Sequence, residues 1–402
     1  DQDYEVVYPE NRVASKTNTN IAKTSSNVYV NGNNNNNNND NNNNNKTDDD
    51  DQQEVNDDDE VALYERCVQH FALRNLSAVP LSFELNVEKF GVAGDVDVQE
   101  CLMIGGKFEL GLVAANSASV NQLDGSGSDS FSIRHADTWL KTSFGTISVG
   151  KGSMATDGTA EVSFSDTWNT SYSAVSVVGG GLYFHDKSSN SKVVSTDPTV
   201  GTYFNNYDGL GRKNRARYTS PDFAGVVVSA SVGRINNEQY GSDVALTYNS
   251  DKTKEILFGG ALGYYKFSKN GNSKAEKVLD GSAGVLHNGT GLNASVAFAK
   301  RKRLNDGDKN HRYGYVQVGK KSDLNSYGKT NFAVDYFNGK NAVANNDKAT
   351  SYGAGVAQKF DSVNAEVYMG LRNYKLKNST ATYNNVLTAM LGIKIGFGGT
   401  VA

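Results

Sequence analysis

Apolar and polar side chains alternate without a break between Leu387 and Phe397, near the end of the sequence. Because successive side chains of a β-strand point to opposite faces, this segment predicts a strand with one apolar face and one face suited to water. Both a sheet packed on a second sheet and a barrel in a membrane fit such a strand. The apolar set is Leu387, Ala389, Leu391, Ile393, Ile395 and Phe397, and the other set is Thr388, Met390, Gly392, Lys394 and Gly396.

The same alternation recurs along the chain from residue 61 onward. About sixteen segments show it, which predicts an all-β, antiparallel protein. The first of them, Val61–Leu73, alternates least clearly. The others are Leu81–Lys89, Leu102–Ala115, Ser130–Ser143, Gly145–Lys151, Lys213–Thr219, Gly225–Arg234, Asp243–Asn249, Glu255–Ser268, Val278–His287, Gly291–Arg303, Arg312–Lys321, Gly328–Phe337, Ser351–Phe360, Val363–Leu376 and Val386–Phe397.

The connections between these segments are sorted by length. A transmembrane up-and-down barrel has short turns at one rim and long loops at the other, whereas a sandwich has no reason for such sorting. The sequence therefore predicts a transmembrane antiparallel up-and-down β-barrel of about sixteen strands, with apolar faces toward lipid and polar faces toward a watery lumen. The short connections are 144–145, 220–223, 250–254, 288–290, 322–326 and 361–362, and they alternate with longer polar ones at 121–129, 268–277, 304–310, 338–350 and 377–384.

One connection is far longer than the rest and covers residues 152–211. Loops of roughly sixty residues are uncommon in compact domains, and those that occur are usually functional. Counted along the predicted strands, it is the third loop on the long-loop rim. We expect it to fold into the lumen and narrow the channel.

Composition agrees with many strands rather than with helices. Only 38% of the residues are apolar, while glycine (41) and tyrosine (21) are frequent and proline (4) is rare. No stretch approaches the ~18 consecutive apolar residues of a membrane helix. A thick conventional core is therefore not expected.

Residues 1–60 differ from the rest of the chain in composition and charge. They are rich in asparagine and aspartate and carry 14 acidic and 4 basic side chains, whereas the remainder carries 30 acidic and 36 basic ones. Such a segment cannot bury enough apolar surface to offset the entropy of ordering, so we predict a disordered low-complexity tail followed by a barrel domain at 61–402. A cation-binding or interaction arm is the alternative role, although the acidic runs lack the spacing of a calcium loop.

No constellation of residues predicts catalysis, a metal site or a cofactor. His135 and Asp137 share a strand face, but no serine with a nucleophile motif accompanies them. Cys67 and Cys101 fit no metal motif and are either one disulfide or two free thiols. The basic run at 300–303 could suggest nucleic acid, but at a strand end beside a long loop it favours contact with polyanionic surface lipids or a neighbouring protomer. Neither an enzyme nor a nucleic-acid partner is expected.

Two stretches and the last strand resemble one known family. The stretch "YDGLGRKNRARYTSPDFAGVVVSASVG" at 207–233 resembles the Gram-negative general porins, in which an Arg/Asn-rich strand leads into Tyr-x-Ser-Pro-x-Phe-x-Gly. The stretch "WLKTSFGTISVGKGS" at 139–153 resembles the segment that leads into their constriction loop, with Lys151 where arginine is commoner. The strand ending at Phe397 resembles their C-terminal assembly signal, although five residues follow it here. The likeness covers roughly 81–397.

The resemblance implies a sixteen-stranded barrel in the outer membrane of a Gram-negative cell, usually a homotrimer, that passes small hydrophilic solutes and ions. It also implies that acidic groups of the third loop face a basic cluster on the wall. Lys213, Arg215 and Arg217 match the basic wall strand, and Arg134 is added as another inward position. The acidic candidates are Asp157, Glu161, Asp166 and Asp186.

The expected function is therefore an outer-membrane porin with weak charge selectivity that leans toward anions. Further expected partners are membrane lipid, lipopolysaccharide and the barrel-assembly machinery. A surface adhesin or receptor with the same architecture is the competing function, and a soluble β-sandwich or lectin is a third. No cofactor is expected.

Overall fold

The computed structural model describes ten ranges of the chain: 60–73, 82–99, 102–113, 117–125, 130–188, 193–235, 239–268, 275–302, 307–378 and 381–400. The predicted tail lies outside these ranges except for Glu60, which is the first residue of the first strand. The barrel domain therefore begins one residue earlier than predicted. Cys101 also lies outside the described residues, so the pairing of the two cysteines stays open.

Sixteen antiparallel strands form one closed barrel, as predicted. Each strand pairs with its neighbours in sequence, and the first strand closes the barrel by pairing with the last, with Leu63 opposite Phe397. Closure leaves the described sheet without an open edge of unpaired backbone groups, which a membrane interior requires. The strands are β1 (Glu60–Leu73), β2 (Ser82–Gln99), β3 (Leu102–Val113), β4 (Ser130–Thr142), β5 (Gly145–Ser153), β6 (Arg212–Thr219), β7 (Val226–Arg234), β8 (Tyr240–Asn249), β9 (Ile256–Ser268), β10 (Ala275–His287), β11 (Leu292–Lys302), β12 (His311–Asn325), β13 (Gly328–Lys340), β14 (Lys348–Phe360), β15 (Ala365–Lys377) and β16 (Val386–Thr400).

Most of the longer connections lie at one rim and the short turns at the other. The exception is the β7–β8 connection at 235–239, which is no longer than the turns at 220–225 and 250–255 on the opposite rim. The longest connection, between β5 and β6, contains a 3₁₀ turn at Val175–Val177 and a single helical turn at Val200–Tyr203. A second 3₁₀ turn, Asp361–Val363, forms the last connection of the short-turn rim. Among the described residues, no helix is long and apolar enough to cross a membrane.

The two faces of each strand separate as the alternation predicts. In β7, Val228 and Val232 are exposed on the outside of the barrel, whereas Ser229 and Ser231 are buried on the inside. The outer wall is thus apolar and the inner wall polar, the arrangement of a barrel that stands in lipid and encloses water.

Strand β12 is one of the strands whose faces the sequence does not separate cleanly, because tyrosines occupy inward positions. Tyr313 and Tyr315 are buried inside the barrel, and Val316 and Val318 are exposed outside. The ring of Tyr313 stacks on Phe337, with centroids 5.1 Å apart. The inner wall is aromatic at this place because a loop packs against it.

Candidate functional site

The long connection between β5 and β6 lies inside the barrel. Because Gly152 and Ser153 belong to β5, the connection covers residues 154–211 and is called the lumen loop below. Its backbone follows the inner wall closely from the start. Ala155 N donates to Ser231 Oγ on β7 at 2.9 Å, and Thr156 N donates to Asp243 Oδ2 on β8 at 2.9 Å.

The contacts continue strand by strand along the inner wall. The hydroxyl of Thr159 donates to Asp280 on β10, and Val162 N donates to Ser282 Oγ on the same strand at 2.8 Å. On β12, Gln317 accepts from Ser163 Oγ at 2.7 Å. The first arm of the loop, 154–163, is therefore hydrogen-bonded to polar side chains from β7 to β12. These wall groups would otherwise face the water of the lumen.

A buried ion pair holds the middle of the lumen loop. The guanidinium of Arg372 on β15 donates two hydrogen bonds of 2.7 Å to the carboxylate of Asp335 on β13. The same guanidinium donates to Thr170 O at 3.3 Å, and the hydroxyl of Ser171 donates to Asp335. The side chains of Arg372 and Asp335 are 1% and 0% exposed. This pair therefore acts as a loop anchor that is closed off from water.

Glycines on the wall allow the loop to come this close. A Cβ atom on Gly370 of β15 would lie 2.9 Å from Thr170 Cβ, and one on Gly284 of β10 would lie 2.9 Å from Phe164 Cδ2. Cβ atoms are essentially never found at such distances from these atoms. Larger residues at these wall positions would push the loop into the lumen.

The distal half of the lumen loop is held by apolar packing. Phe204 lies 4.8 Å from Tyr374 and 5.5 Å from Phe337, measured between ring centroids, and Phe184 stacks on its other side. The hydroxyl of Tyr374 donates a hydrogen bond of 2.7 Å to Val178 O, at the end of the 3₁₀ turn of the loop. An aromatic cluster thus fixes the loop to β13 and β15.

The two ends of the loop are joined by two acidic side chains, of which Glu161 is buried and Asp208 is half-buried. Asp208 accepts from Gly158 N and Ala160 N, both at 2.7 Å, and Glu161 accepts from Asn206 Nδ2 at 2.7 Å. Burial, together with the charge of Asp157, raises the pKa of Asp208 to about 7. Burial and the neighbouring charge of Asp208 also raise the pKa of Glu161.

The predicted basic wall residues all face inward on β6. Lys213, Arg215 and Arg217 lie on the inner face, and Ala216 and Tyr218 are exposed on the outer face. Lys213 and Arg217 are only partly buried.

Arg215 is almost fully buried. It forms an ion pair of 2.6 Å with Asp137 and donates to Ser153 O at 3.0 Å. The pair spans β5, where Gly150 lies in register between the two partners. The absence of a side chain at Gly152 leaves the space for the pair, since a Cβ atom there would lie 2.6 Å from Arg215 Nη2 and 2.7 Å from Asp137 Oδ2. Arg215 is thus neutralised within the wall.

Arg134 and its neighbours extend the charged wall onto β3 and β4. Arg134 Nε donates to Glu109 Oε1 at 2.6 Å, and Lys107 lies 3.2 Å from the other carboxylate oxygen. Asp157 of the lumen loop is near enough to Arg134 to attract it electrostatically. Arg212 Nε donates to His135 Nε2 at 3.3 Å, and its charge also acts on Glu161 and Asp208.

The four acidic candidates lie in different places. Asp157 and Glu161 lie near Arg134 and Arg212 at the base of the loop. Asp166 instead pairs with Lys321 at 2.9 Å and Lys359 at 3.1 Å, toward the short-turn ends of β12 and β14. Burial raises its pKa, but the charges and hydrogen bonds of the two lysines outweigh this effect and lower it.

Asp186 bonds within its own turn. It accepts from Ser188 N at 2.9 Å, which lowers its pKa. The structure therefore brings neither Asp166 nor Asp186 against the basic wall.

Four partners in this network were not predicted as channel residues: Glu109, Asp208 and Arg212, and Asp137, which was considered only for catalysis. Glu109 meets Arg134 through the register of β3 and β4, and Asp137 meets Arg215 through the register of β4, β5 and β6, which the sequence does not reveal. Arg212 could have been found, because it directly precedes the basic stretch at 213–217. Asp208 lies in a loop without periodicity and gives no such signal.

Comparisons with known proteins agree with this architecture. The family model of the Gram-negative porins matches residues 85–379. No match is found among curated proteins.

Several solved structures share the fold. An anion-selective porin from Comamonas acidovorans has 14% sequence identity and a TM-score of 0.55, covering 84% of this chain and 100% of that one. OmpT of Vibrio cholerae has 12% identity and a TM-score of 0.54, with 85% and 97% covered. OmpF of Salmonella typhi in complex with daunomycin has 13% identity and a TM-score of 0.51, with 83% and 97% covered. At these identities the likeness establishes the fold.

The family match extends over most of the barrel, and the closed sheet with its internal loop agrees with it. The family consists of channels rather than enzymes, and its members form water-filled passages for small solutes. The chain therefore belongs to the Gram-negative porins, which are channel-forming β-barrels of the outer membrane.

Proposed function

We propose that small hydrophilic solutes and ions diffuse between the lumen loop and the wall formed by β3 to β6. One observation carries this proposal. The wall from β8 to β15 is covered by buried contacts with the loop, whereas charged side chains on β3 and β6 stay partly accessible. They include Lys107, which is 19% exposed, and Glu109, which is 12% exposed. Partly exposed charges inside a barrel are in contact with water, which a diffusing solute needs.

The charge balance of this passage favours anions. Arg372 and Arg301 are neutralised by Asp335 and Glu276 at 2.7 and 2.5 Å, so they add little to the field in the lumen. Arg215 is neutralised in the same way by Asp137. Lys213 and Arg217 on β6 are only partly buried, Arg212 lies beside them, and the charge of Asp157 acts on this wall from the loop.

A passage of this kind needs no covalent chemistry, because solutes bind its charged wall weakly and leave again. We propose that the protein has no catalytic role. His135 and Asp137 are engaged with Arg212 and Arg215 respectively.

Partners are proposed on the same basis. A homotrimer is supported by the Vibrio cholerae OmpT structure in its trimer form, which shares the fold at 13% identity and a TM-score of 0.52. Membrane lipid and lipopolysaccharide are the proposed partners of the outer wall. The barrel-assembly machinery is proposed to read β16 and Phe397, and residues 1–59 are proposed to be a solvated tail.

The proposal is tested by the reversal potential across a planar bilayer with a salt gradient. Replacing Lys213 and Arg217 by alanine removes two accessible cations, and each charge at about 4 Å contributes about 1 kcal/mol in water. We therefore expect the ratio of anion to cation permeability to fall about fivefold or more. The matched control is Lys320→Ala, an exposed lysine on the outside of β12. An unchanged ratio in the double variant would reject the role of these residues.

A further inference from the structure

A row of cations lies on the outer wall, at the long-loop ends of seven neighbouring strands. Their side chains are all exposed and point away from the lumen, and the row is called the cationic belt below. It runs from β9 to β15, over less than half of the barrel circumference. The belt consists of Lys266, Lys277, Lys300, Lys302, Arg312, Lys340, Lys348, Lys375 and Lys377.

Members of the belt are direct cross-strand partners of one another. Like charges that lie directly opposite each other on adjacent strands destabilise a sheet. Six such pairs in succession are therefore not explained by the stability of the barrel itself. They are Lys266 with Lys277, Lys277 with Lys302, Lys300 with Arg312, Arg312 with Lys340, Lys340 with Lys348, and Lys348 with Lys377.

The belt has no acidic counterpart on its own face. None of its nine members forms an ion pair within the ranges that the structure describes, where its one ring contact places Lys375 Nζ 5.5 Å from the centroid of Tyr352. The nearby Glu276 and Arg301 lie on the inner face, where they pair with each other. The positive charge of the belt therefore has no neutralising partner among the described side chains of this face.

The surface beside the belt is suited to hydrocarbon. An aromatic row lies next to the cations on the same strand faces, and it consists of Tyr264, Phe298, Tyr336 and Tyr352. Beyond it, toward the middle of the strands, the wall becomes aliphatic, with Leu262, Val296 and Val334 exposed. Cations, aromatic rings and aliphatic side chains thus follow one another down the outer wall, in the order of a lipid headgroup, interface and acyl chain.

We infer that the cationic belt is a docking surface for an outer-leaflet lipid that carries more than one phosphate group. This inference rests on the proposed lipid partners of the outer wall and assigns them to one part of it. Phosphates placed between opposed lysines would replace their mutual repulsion with charge-assisted hydrogen bonds. The acyl chains would lie against the aliphatic wall below.

The opposite side of the barrel provides an internal comparison. At the long-loop ends of β4 to β8, the exposed outward positions include Phe131, Ile133 and Tyr240. On the described outward face of these strand ends, Lys151 and Arg234 are not direct partners, because Asn214 separates them in register. The belt is therefore a local feature and not a general property of the rim.

The acidic segment of the chain itself fits the belt poorly. Its aspartates, at 48–51 and 57–59, precede Glu60 in the sequence, and Glu60 is the first residue of β1. Glu60 pairs with Thr400 at the rim of short turns, whereas the belt lies at the opposite rim. A membrane lipid, by contrast, lies beside the belt and does not have to extend from one rim of the barrel to the other.

The test is lipid binding by the full-length barrel in detergent micelles, read as the shift in its thermal unfolding. The micelles are doped with a diphosphorylated glucosamine lipid, with the same lipid after dephosphorylation, or with phosphatidylcholine. The variant carries Lys277→Gln, Lys340→Gln and Lys348→Gln, and the matched control carries Lys254→Gln, Lys320→Gln and Lys329→Gln at the opposite rim.

We expect the phosphorylated lipid alone to stabilise the wild-type barrel and the control. Each lysine near an anionic lipid contributes a factor of about five in affinity, so the belt variant is expected to bind on the order of 100-fold more weakly. Equal binding by the belt variant and the control would overturn the inference, as would equal stabilisation by the dephosphorylated lipid or by inorganic phosphate alone. The belt variant is also measured in phosphatidylcholine bilayers, where we expect the same conductance as the wild type. That outcome would show that the variant has lost lipid binding and not the channel function.

Discussion

Removing one partner of the anchor between Arg372 and Asp335 is expected to affect both the barrel and its loop. In Arg372→Met, the carboxylate of Asp335 loses two hydrogen bonds of 2.7 Å while it stays in a site that is closed to water. Breaking a buried ion pair from one side costs about 3–5 kcal/mol, because a charge is left without compensation. Two charge-assisted hydrogen bonds of about 1.5–3 kcal/mol each give a similar total. The same substitution also removes the donor to Thr170 O in the lumen loop.

We therefore expect the free energy of unfolding in denaturant to fall by about 3–5 kcal/mol in Arg372→Met. We also expect the single-channel conductance to rise, because the middle of the loop is no longer tied to β15. The double variant Arg372→Met with Asp335→Leu removes both charges. Replacing a buried pair by apolar residues is often neutral or stabilising, so it is expected to recover most of the barrel stability. Its loop stays released, because Thr170 and Ser171 still lack their partners.

The pair of Lys329 and Asp323 is the exposed control, since its two side chains are 52% and 73% exposed. Lys329→Met is expected to cost less stability, because water screens the remaining carboxylate. The reasoning would be refuted if Arg372→Met changed the unfolding free energy by less than about 1 kcal/mol. It would also fail if the double variant were no more stable than the single one.

Two further predictions concern the lumen loop. The pKa of Asp208 is raised from 3.8 to about 7, so its contribution to loop stability is fully present below pH ~4 and is lost as the pH rises through about 7. Conductance in bilayer recordings is therefore expected to increase between pH 5 and pH 8. The variant Asp208→Asn is expected to lack this increase, and an increase that persists in the variant would contradict the assignment to Asp208. Phe204→Ala removes the centre of the aromatic cluster, which typically costs 3–5 kcal/mol of packing, and is expected to expose the distal loop to limited proteolysis. The control is Phe223→Ala, at a residue that is 62% exposed, and the protease is expected to cleave it as slowly as the wild type. Equal cleavage rates for the two variants would argue against the role of the cluster.

The barrel can be predicted from the sequence because its determinants are local. Alternation with a period of two places Val228 outside and Ser229 inside, and the lengths of the connections distinguish the two rims. Alternation does not reveal the second half of β2, where Val92 and Val96 lie between glycine and aspartate residues that are not typical of strands. It also fails to separate the faces of β12, because a loop far away in sequence makes its inner wall apolar.

The contacts of the lumen loop cannot be predicted in this way. Arg215 on β6 reaches Asp137 on β4 because Gly152 of the intervening strand has no side chain in the space between them. Asp166 is drawn to two lysines of the opposite wall instead of to the basic cluster. Both outcomes depend on where a long aperiodic segment lies inside the barrel, which sequence spacing does not encode.

The two halves of the lumen loop differ in how strongly they are held, and this difference defines how the channel can widen. The first arm bonds to serine, aspartate and glutamine side chains that water can also satisfy, so each bond contributes only about 0.5–1.5 kcal/mol net. The distal half buries Phe184 and Phe204, and each such side chain contributes about 1.5–3 kcal/mol that water cannot replace. A single bond of residues 154–163 therefore costs less to break than the packing of one of these rings. Because such bonds can break one at a time, we expect opening to begin beside the basic wall of β6, where the proposed passage lies, and the aromatic cluster to remain the fixed end of the loop.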